Sequence, residues 1–224
     1  MQTQAIIKHI YQWMQNYAKT AKSTGFVVGI SGGIDSAVTS TLTAKTGLPV
    51  LCVEMPIHQV ADQVSRAQEH IAWLKKNYPN VRSANVELTT IFDRFIDAVP
   101  SEENSVNRLR SLVNTRARLR MTTLYYFAQL YNYLVAGTGN KVEDFGIGFY
   151  TKYGDGGVDL SPIADLMKTE VFAIGKVLGV CQNILDANPT DGLWDDNRTD
   201  EDQIGATYPE LEWAMAFEGE EKNL

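Results

Sequence analysis

A run of apolar and small residues, Phe26-Val27-Val28-Gly29-Ile30, passes directly into Ser31-Gly32-Gly33, and apolar residues then return at helical spacing as Ala37, Val38 and Leu42. That order predicts a strand, a tight turn and a helix. Adjacent glycines let main-chain amides converge on an anion, and the helix behind them adds its partly positive N-terminus, so phosphate is the natural guest. The nucleotide-triphosphatase loop would end in Gly-Lys-Ser/Thr. Here Asp35 and Ser36 stand in that region, with no lysine. A bare glycine turn would be structural only. Asp35 argues for more, because a carboxylate beside phosphates repels them unless a divalent cation lies between.

The same alternation continues along the chain. Helices are expected near 3–20, 35–45 and 60–77, strands at 26–30, 49–54 and 133–138, and a β-rich stretch at 81–88 followed by a short helix in "IFDRFIDAV". This βαβ rhythm predicts an α/β fold, a doubly wound parallel sheet with helices on both faces. The polar stretch 101–114 is expected to be a mobile segment leading into a long helix from 115 to about 132. No repeat, low-complexity block or linker divides the chain, so residues 1–224 are expected to form a single domain.

Composition narrows the classes of partner. Hydrophobic residues make up 44% of the chain and charged residues 21%, with no apolar run approaching the roughly 20 residues that span a bilayer. The first amphipathic stretch places Ile6, Ile7, Ile10, Trp13, Met14 and Tyr17 on one face, unlike a signal peptide. A net charge of -7 disfavours nonspecific binding to nucleic acid or an anionic membrane. Cys52 and Cys181 lack a Cys-x-x-Cys partner, and His9, His58 and His70 lack metal-ligand spacing. Buried free thiols in a reducing, cytoplasmic setting are the expectation.

In open parallel sheets, ligands sit beyond the carboxyl ends of the strands. Two loops are therefore read together: "SGGIDS" after the first strand and "GTGNKVE" after "YLVA". A carboxylate at Glu143 could complete a magnesium site with Asp35.

Five separated motifs carry a resemblance. "GISGGIDS" resembles the pyrophosphate-binding loop of the ATP pyrophosphatase superfamily, which cleaves ATP to AMP and pyrophosphate. With "NTRARLRM" (114–121), "GTGNKVE" (137–143), "YTKYGDGGVDLSPIADLMKTEV" (150–171) and "NPTDGL" (188–193), the chain is similar to the ammonia-dependent NAD synthetase family from near residue 3 to near residue 215. The resemblance implies an adenine nucleotide alpha hydrolase-like, Rossmann-like fold. It also implies amidation of deamido-NAD by ammonia with ATP as co-substrate and Mg2+ as cofactor, in a homodimer. ATP would be held by Gly29, Ile30, Ser31, Gly32, Gly33, Ile34, Asp35, Ser36, Thr138, Lys168 and Thr190, and deamido-NAD by Arg118, Lys152 and Asp159. Asp35 and Asp155 would be catalytic, and Asp35 with Glu143 would hold the metal. Lys168 would then supply the cation that the loop lacks. Arg116, Arg118 and Arg120 alternate on one helix and cannot all face one ligand, and Arg118 is the one assigned.

The chain also departs from the family. Glu54 stands where several members carry an ATP-contacting arginine, so that contact is not carried over. The family's C-terminal lid with a His-Lys pair is expected to be absent here, or to lie in a longer polypeptide. Alternatives are another ATP-pyrophosphatase synthetase, against whose RNA-binding members the acidic charge weighs, or a catalytically silent nucleotide-binding module.

Overall fold

The computed structural model describes residues 2–100, 106–190 and 199–217. In chain order these form α1 (Thr3–Thr20), β1 (Gly25–Gly29), α2 (Ile34–Lys45), β2 (Val50–Glu54), α3 (Ala61–Asn77), β3 (Val81–Asn85), α4 (Thr89–Ala98), α5 (Val106–Tyr131) and β4 (Tyr133–Val135). A π-helical turn, Lys141–Ile147, follows, then α6 (Lys168–Leu178), α7 (Gln182–Leu185), α8 (Asp200–Ile204) and α9 (Tyr208–Ala216).

The four strands form one sheet in the order β3-β2-β1-β4, and all three pairings are parallel. Alternate residues face opposite sides, so both faces must be covered. Phe26, Val28, Val50 and Cys52 pack with Met14, Leu42, Leu74 and Ile174 from α1, α2, α3 and α6. Val27, Leu51, Val53 and Val135 pack on the other side with Phe92 of α4 and Ala128 of α5. The doubly wound sheet is therefore the observed fold. Truncating fully buried Phe26 to Ala would cost about 3–5 kcal/mol.

Winding proceeds outward from β1 to β2 and β3, then returns across the sheet to place β4 on the opposite side of β1. The carboxyl ends of β1 and β4 thus flank the point where the strand order reverses, where such sheets open a crevice.

Three expectations change. The strand expected to reach 138 ends at Val135, and beyond it only a single parallel bridge, Ala136 to Leu160, continues the pairing, with Ala136 N donating to the Val27 carbonyl (3.0 Å) and Gly137 N to the Leu160 carbonyl (2.8 Å). The "GTGNKVE" segment is only partly loop, since Glu143 lies in the π-helical turn. Of the stretch expected to be mobile, residues 106–114 are helical, and 101–105 lie outside the described residues. Leu112 packs on the core and the Ser111 hydroxyl bonds back to the Asn107 carbonyl at 2.8 Å, so this polar sequence continues a helix. Among the described residues no helix is long and apolar enough to cross a membrane.

Candidate active site

The loop after β1 is held by its own serines. Ser36 Oγ accepts from Ser31 N (3.3 Å) and donates to the Gly33 carbonyl (3.0 Å), while Ser31 Oγ accepts from Gly33 N (3.2 Å). Gly32 has φ +84°, and a Cβ there would lie 2.5 Å from the Gln63 carbonyl. No side chain fits, so the turn closes tightly against α3. Ile30 and Ile34 are buried, leaving only their main chain to serve a ligand.

Asn140 joins this loop to the one after β4. It is fully buried, and its Oδ1 caps the π-helical turn by accepting from Val142 N (3.0 Å) and Glu143 N (3.1 Å). Its Nδ2 donates to Asp35 Oδ1 at 3.2 Å. The cap thereby brings Glu143 to Asp35 across the switch point.

Between the two carboxylates sits the ammonium of Lys168, from the first residue of α6. Nζ lies 2.6 Å from Asp35 Oδ2 and 2.7 Å from Glu143 Oε1, and the lysine side chain is only 3% exposed. Burial works against the lysine's charge, but the two carboxylates outweigh it and hold the ammonium above the usual lysine range. Burial likewise pushes both carboxyls up while Lys168 pulls them down. Glu143, which also accepts from Tyr208, ends below its ordinary value, and Asp35 ends above. Two carboxylates converging on one cation have the arrangement a divalent ion needs. No three His, Cys, Asp or Glu side chains form a metal cluster among the described residues. Magnesium with a nucleotide needs only one or two carboxylates, with phosphates and water completing its shell, so this donor set fits.

A cavity of about 500 Å3 opens from this centre. Asp35, Glu143, Thr138 and Thr190 line it, as do Gly29 to Ser31 and Ser36 of the loop. Asp155 also faces it, and the side chain accepts from Thr151 N at 2.9 Å. Protein surrounds Asp155 on most sides although its surface reaches the open cavity, and this desolvation raises its carboxyl. Neighbouring Asp144 is raised to about 7, first by burial and then by the charges of Asp155, Glu143 and Asp35. Asp144 and Asp155, added to Asp35 and Glu143, make this end of the cavity a place for a polycation or a metal-bound polyphosphate, not for a bare anion. Asp191 to Leu193 of the "NPTDGL" motif fall outside the described residues.

The residues assigned to the acid substrate gather elsewhere. Arg118 is exposed and its Nε donates to the Lys152 carbonyl at 3.2 Å. Asp159 accepts from Tyr125 OH (3.1 Å) and from Val135 N (2.8 Å). Arg118 and Tyr125 are two helical turns apart on α5, so the three assigned residues share one side of that helix, outside the cavity lining. Arg120 lines the cavity instead, where Nε donates to the Met55 carbonyl (3.0 Å) and Nη2 to Gln59 Oε1 (2.9 Å). Glu54 lines it too, 6% exposed, accepting from Gln68 and Asn85 at 3.2 Å each.

Sequence reasoning did not find Asn140, Arg120, Asp144 or Tyr208. An Asn three residues before a Glu at the start of a helical turn is a readable cap signal. The others depend on helix rotation and on contacts remote in sequence.

Known proteins share this chain's sequence and fold. The NH(3)-dependent NAD(+) synthetase of Mesoplasma florum is 37% identical, over 100% of this chain and 89% of that protein. Among solved structures, NMN synthetase from Francisella tularensis superposes with a TM-score of 0.88 at 35% identity, covering 96% of this chain and 86% of that one. The NH3-dependent NAD synthetase from Campylobacter jejuni, in complex with the nitrate ion, gives 0.73 at 34%, covering 83% and 77%. A sequence profile of NAD synthase matches residues 6–223, and the chain belongs to that family.

Proposed function

We propose that this chain is an ammonia-dependent NAD synthetase, a ligase that amidates deamido-NAD with consumption of ATP. The observation that carries this reading is the meeting of Asp35, Glu143 and Lys168 beside the serine-glycine loop. A phosphate-binding turn facing two carboxylates and a buried ammonium suits a metal-bound polyphosphate leaving group. The nicotinate carboxylate oxygen attacks the α-phosphorus of ATP, the bond to the β-phosphate breaks, and pyrophosphate departs. Ammonia then attacks the adenylated carboxyl carbon, loses a proton, and AMP leaves with both electrons of the carbon–oxygen bond.

This chain's residues supply placement and charge. Amides of the 29–36 loop would hold the departing phosphates, with Thr138 and Thr190 on the nucleotide. Asp35 and Glu143 would hold magnesium, which would draw charge from the phosphates. Lys168, displaced from between the carboxylates, would then reach the phosphates. Arg118, Lys152 and Asp159 would bind the acid along α5, and Asp155 would assist the reaction from the cavity wall.

A homodimer is supported by the apolar residues that α5 leaves open, Tyr126 at 63% and Leu130 at 54% exposure. Two unpaired cysteines suit a cytoplasmic setting.

A second reading concerns the size of the acid. The structure with the TM-score of 0.88 is an NMN synthetase, which favours a nicotinate mononucleotide as an alternative acid. Purified protein given ATP, ammonium and either deamido-NAD or nicotinate mononucleotide distinguishes them by kcat/KM. NAD formation with release of AMP supports the first reading, and a larger kcat/KM for the mononucleotide supports the second. No amidation of either acid by folded protein overturns both.

A further inference from the structure

The C-terminal helix α9 reaches the centre through one side chain. Thr207 and Glu210 form a reciprocal cap at its start, with Glu210 Oε2 accepting from Thr207 N at 2.8 Å. That cap fixes Tyr208 in the first turn with its side chain turned inward, 4% exposed. The phenol donates to Glu143 Oε1 at 2.5 Å and lies 3.2 Å from Asp200 Oδ2. A phenol has a single proton, and the shorter contact takes it. The ring also lies 5.0 Å from Lys168 Nζ. Farther along α9, Glu212 accepts from Thr169 N (2.9 Å) and from Thr169 Oγ1 (2.6 Å), one residue after Lys168. One helix thus holds both sides of the ion cluster.

We propose that Tyr208 is a positioning residue that fixes the Glu143 carboxylate for the divalent cation, so that α9 governs the affinity of the metal centre. Glu143 and Lys168 change partners when a cation and phosphates enter, since the ammonium cannot remain between the carboxylates. The Tyr208 hydroxyl is a donor that need not move. It keeps Glu143 in place while Lys168 departs, and removes the need to order that carboxylate on binding. Tyr208 touches neither substrate nor metal, and acts through Glu143.

The inference rests on the proposed metal reading and is tested beside it. Mn2+ binding in the presence of a non-hydrolysable ATP analogue is titrated by electron paramagnetic resonance. Tyr208→Phe keeps the ring and removes the donor. Loss of a hydrogen bond to a charged group should weaken Mn2+ about tenfold, while a merely structural role would lower the melting temperature and leave that affinity unchanged. In a Glu143→Gln background, Tyr208→Phe should add nothing further. If Asp35→Asn binds Mn2+ like the natural protein, the metal reading itself fails. If Asp35→Asn loses Mn2+ and Tyr208→Phe retains it, the role of Tyr208 alone fails. Should Tyr208→Phe not fold, hydrogen exchange on the unaltered protein decides. A metal-fixed Glu143 is a firmer anchor, so amides of Leu211 to Ala214 should slow on loading with Mg2+ and the analogue, and unchanged exchange overturns the proposal.

Discussion

Lys168 and Asp35 are 133 residues apart in the chain and 2.6 Å apart in the fold. Their contact closes the gap between the β1 loop and α6, and Glu143 completes it at 2.7 Å from the same ammonium. A buried cation between two carboxylates is stable only as a set, because removing one member leaves the others uncompensated.

Replacing the ammonium with an apolar chain of similar length tests that statement. Lys168→Met should lower the unfolding free energy by about 3 kcal/mol in metal-free buffer, measured by urea denaturation. Adding Mg2+ should recover part of the loss, since a second cation can then sit between Asp35 and Glu143. A loss that Mg2+ leaves untouched would separate the lysine's contribution from the proposed metal position.

Much of the fold can be read from the sequence because its signals are local. The strands are short apolar runs bounded by turns, and the helices between them carry apolar faces, so a sheet covered on both sides follows from pattern alone. The phosphate loop is legible for the same reason. The 106–114 stretch is not, because its helix is continuous with α5 and its few apolar residues take meaning only from the core they meet. Which arginine of the alternating three enters the cavity depends on the rotation of α5 about its axis. That rotation is set by Ala117 and Ala128 against their neighbours, not by spacing within the motif. Tyr208 has no local signal at all, since its partner Glu143 is 65 residues upstream.

The two arginines can be told apart by kinetics. Arg120 lines the cavity and braces the segment after β2, whereas Arg118 lies with Lys152 on the outer side of α5. Arg120→Ala should raise the KM for ATP about tenfold or more. Arg118→Ala should act mainly on the KM for the acid. Initial-rate measurements with each substrate varied in turn check this, and an exchange of the two effects would reverse the assignment.

His70 gives the fold a defined pH dependence. It is fully buried, its Nε2 is 2.9 Å from Ser40 Oγ, and its ring stacks on Trp73 at 5.7 Å between centroids. Burial lowers its pKa from an ordinary 6.5 to about 4. The unfolded chain therefore binds the proton more readily than the folded one. The contribution is fully present above pH 6.5 and is lost as pH falls toward 4, by about 3 kcal/mol in all. Urea unfolding at stepped pH should show this slope, and His70→Gln should reduce it. An unchanged slope in a folded His70→Gln protein would assign the dependence to other groups.

The nitrogen source follows from the chemistry of the two thiols. Hydrolysing glutamine to release ammonia calls for a nucleophile such as a thiolate, with a base beside it. Cys52 is fully buried in β2 and its thiol is pushed up to about 12 by desolvation, so it stays protonated at neutral pH. Cys181 is also raised, first by burial, and precedes the short helix α7. Neither offers a thiolate, so glutamine should give almost no product with the purified protein. Ammonia attacks as the neutral molecule, while ammonium predominates at neutral pH. At fixed total ammonium and saturating ATP, the rate should therefore climb with pH from neutral into the mildly alkaline range, by up to about tenfold per unit. Re-plotting the rates against free ammonia should bring the curves at different pH together. Efficient turnover with glutamine by a Cys52→Ala, Cys181→Ala protein free of glutaminase, or a rate that follows total ammonium alone, would contradict ammonia as the nucleophile.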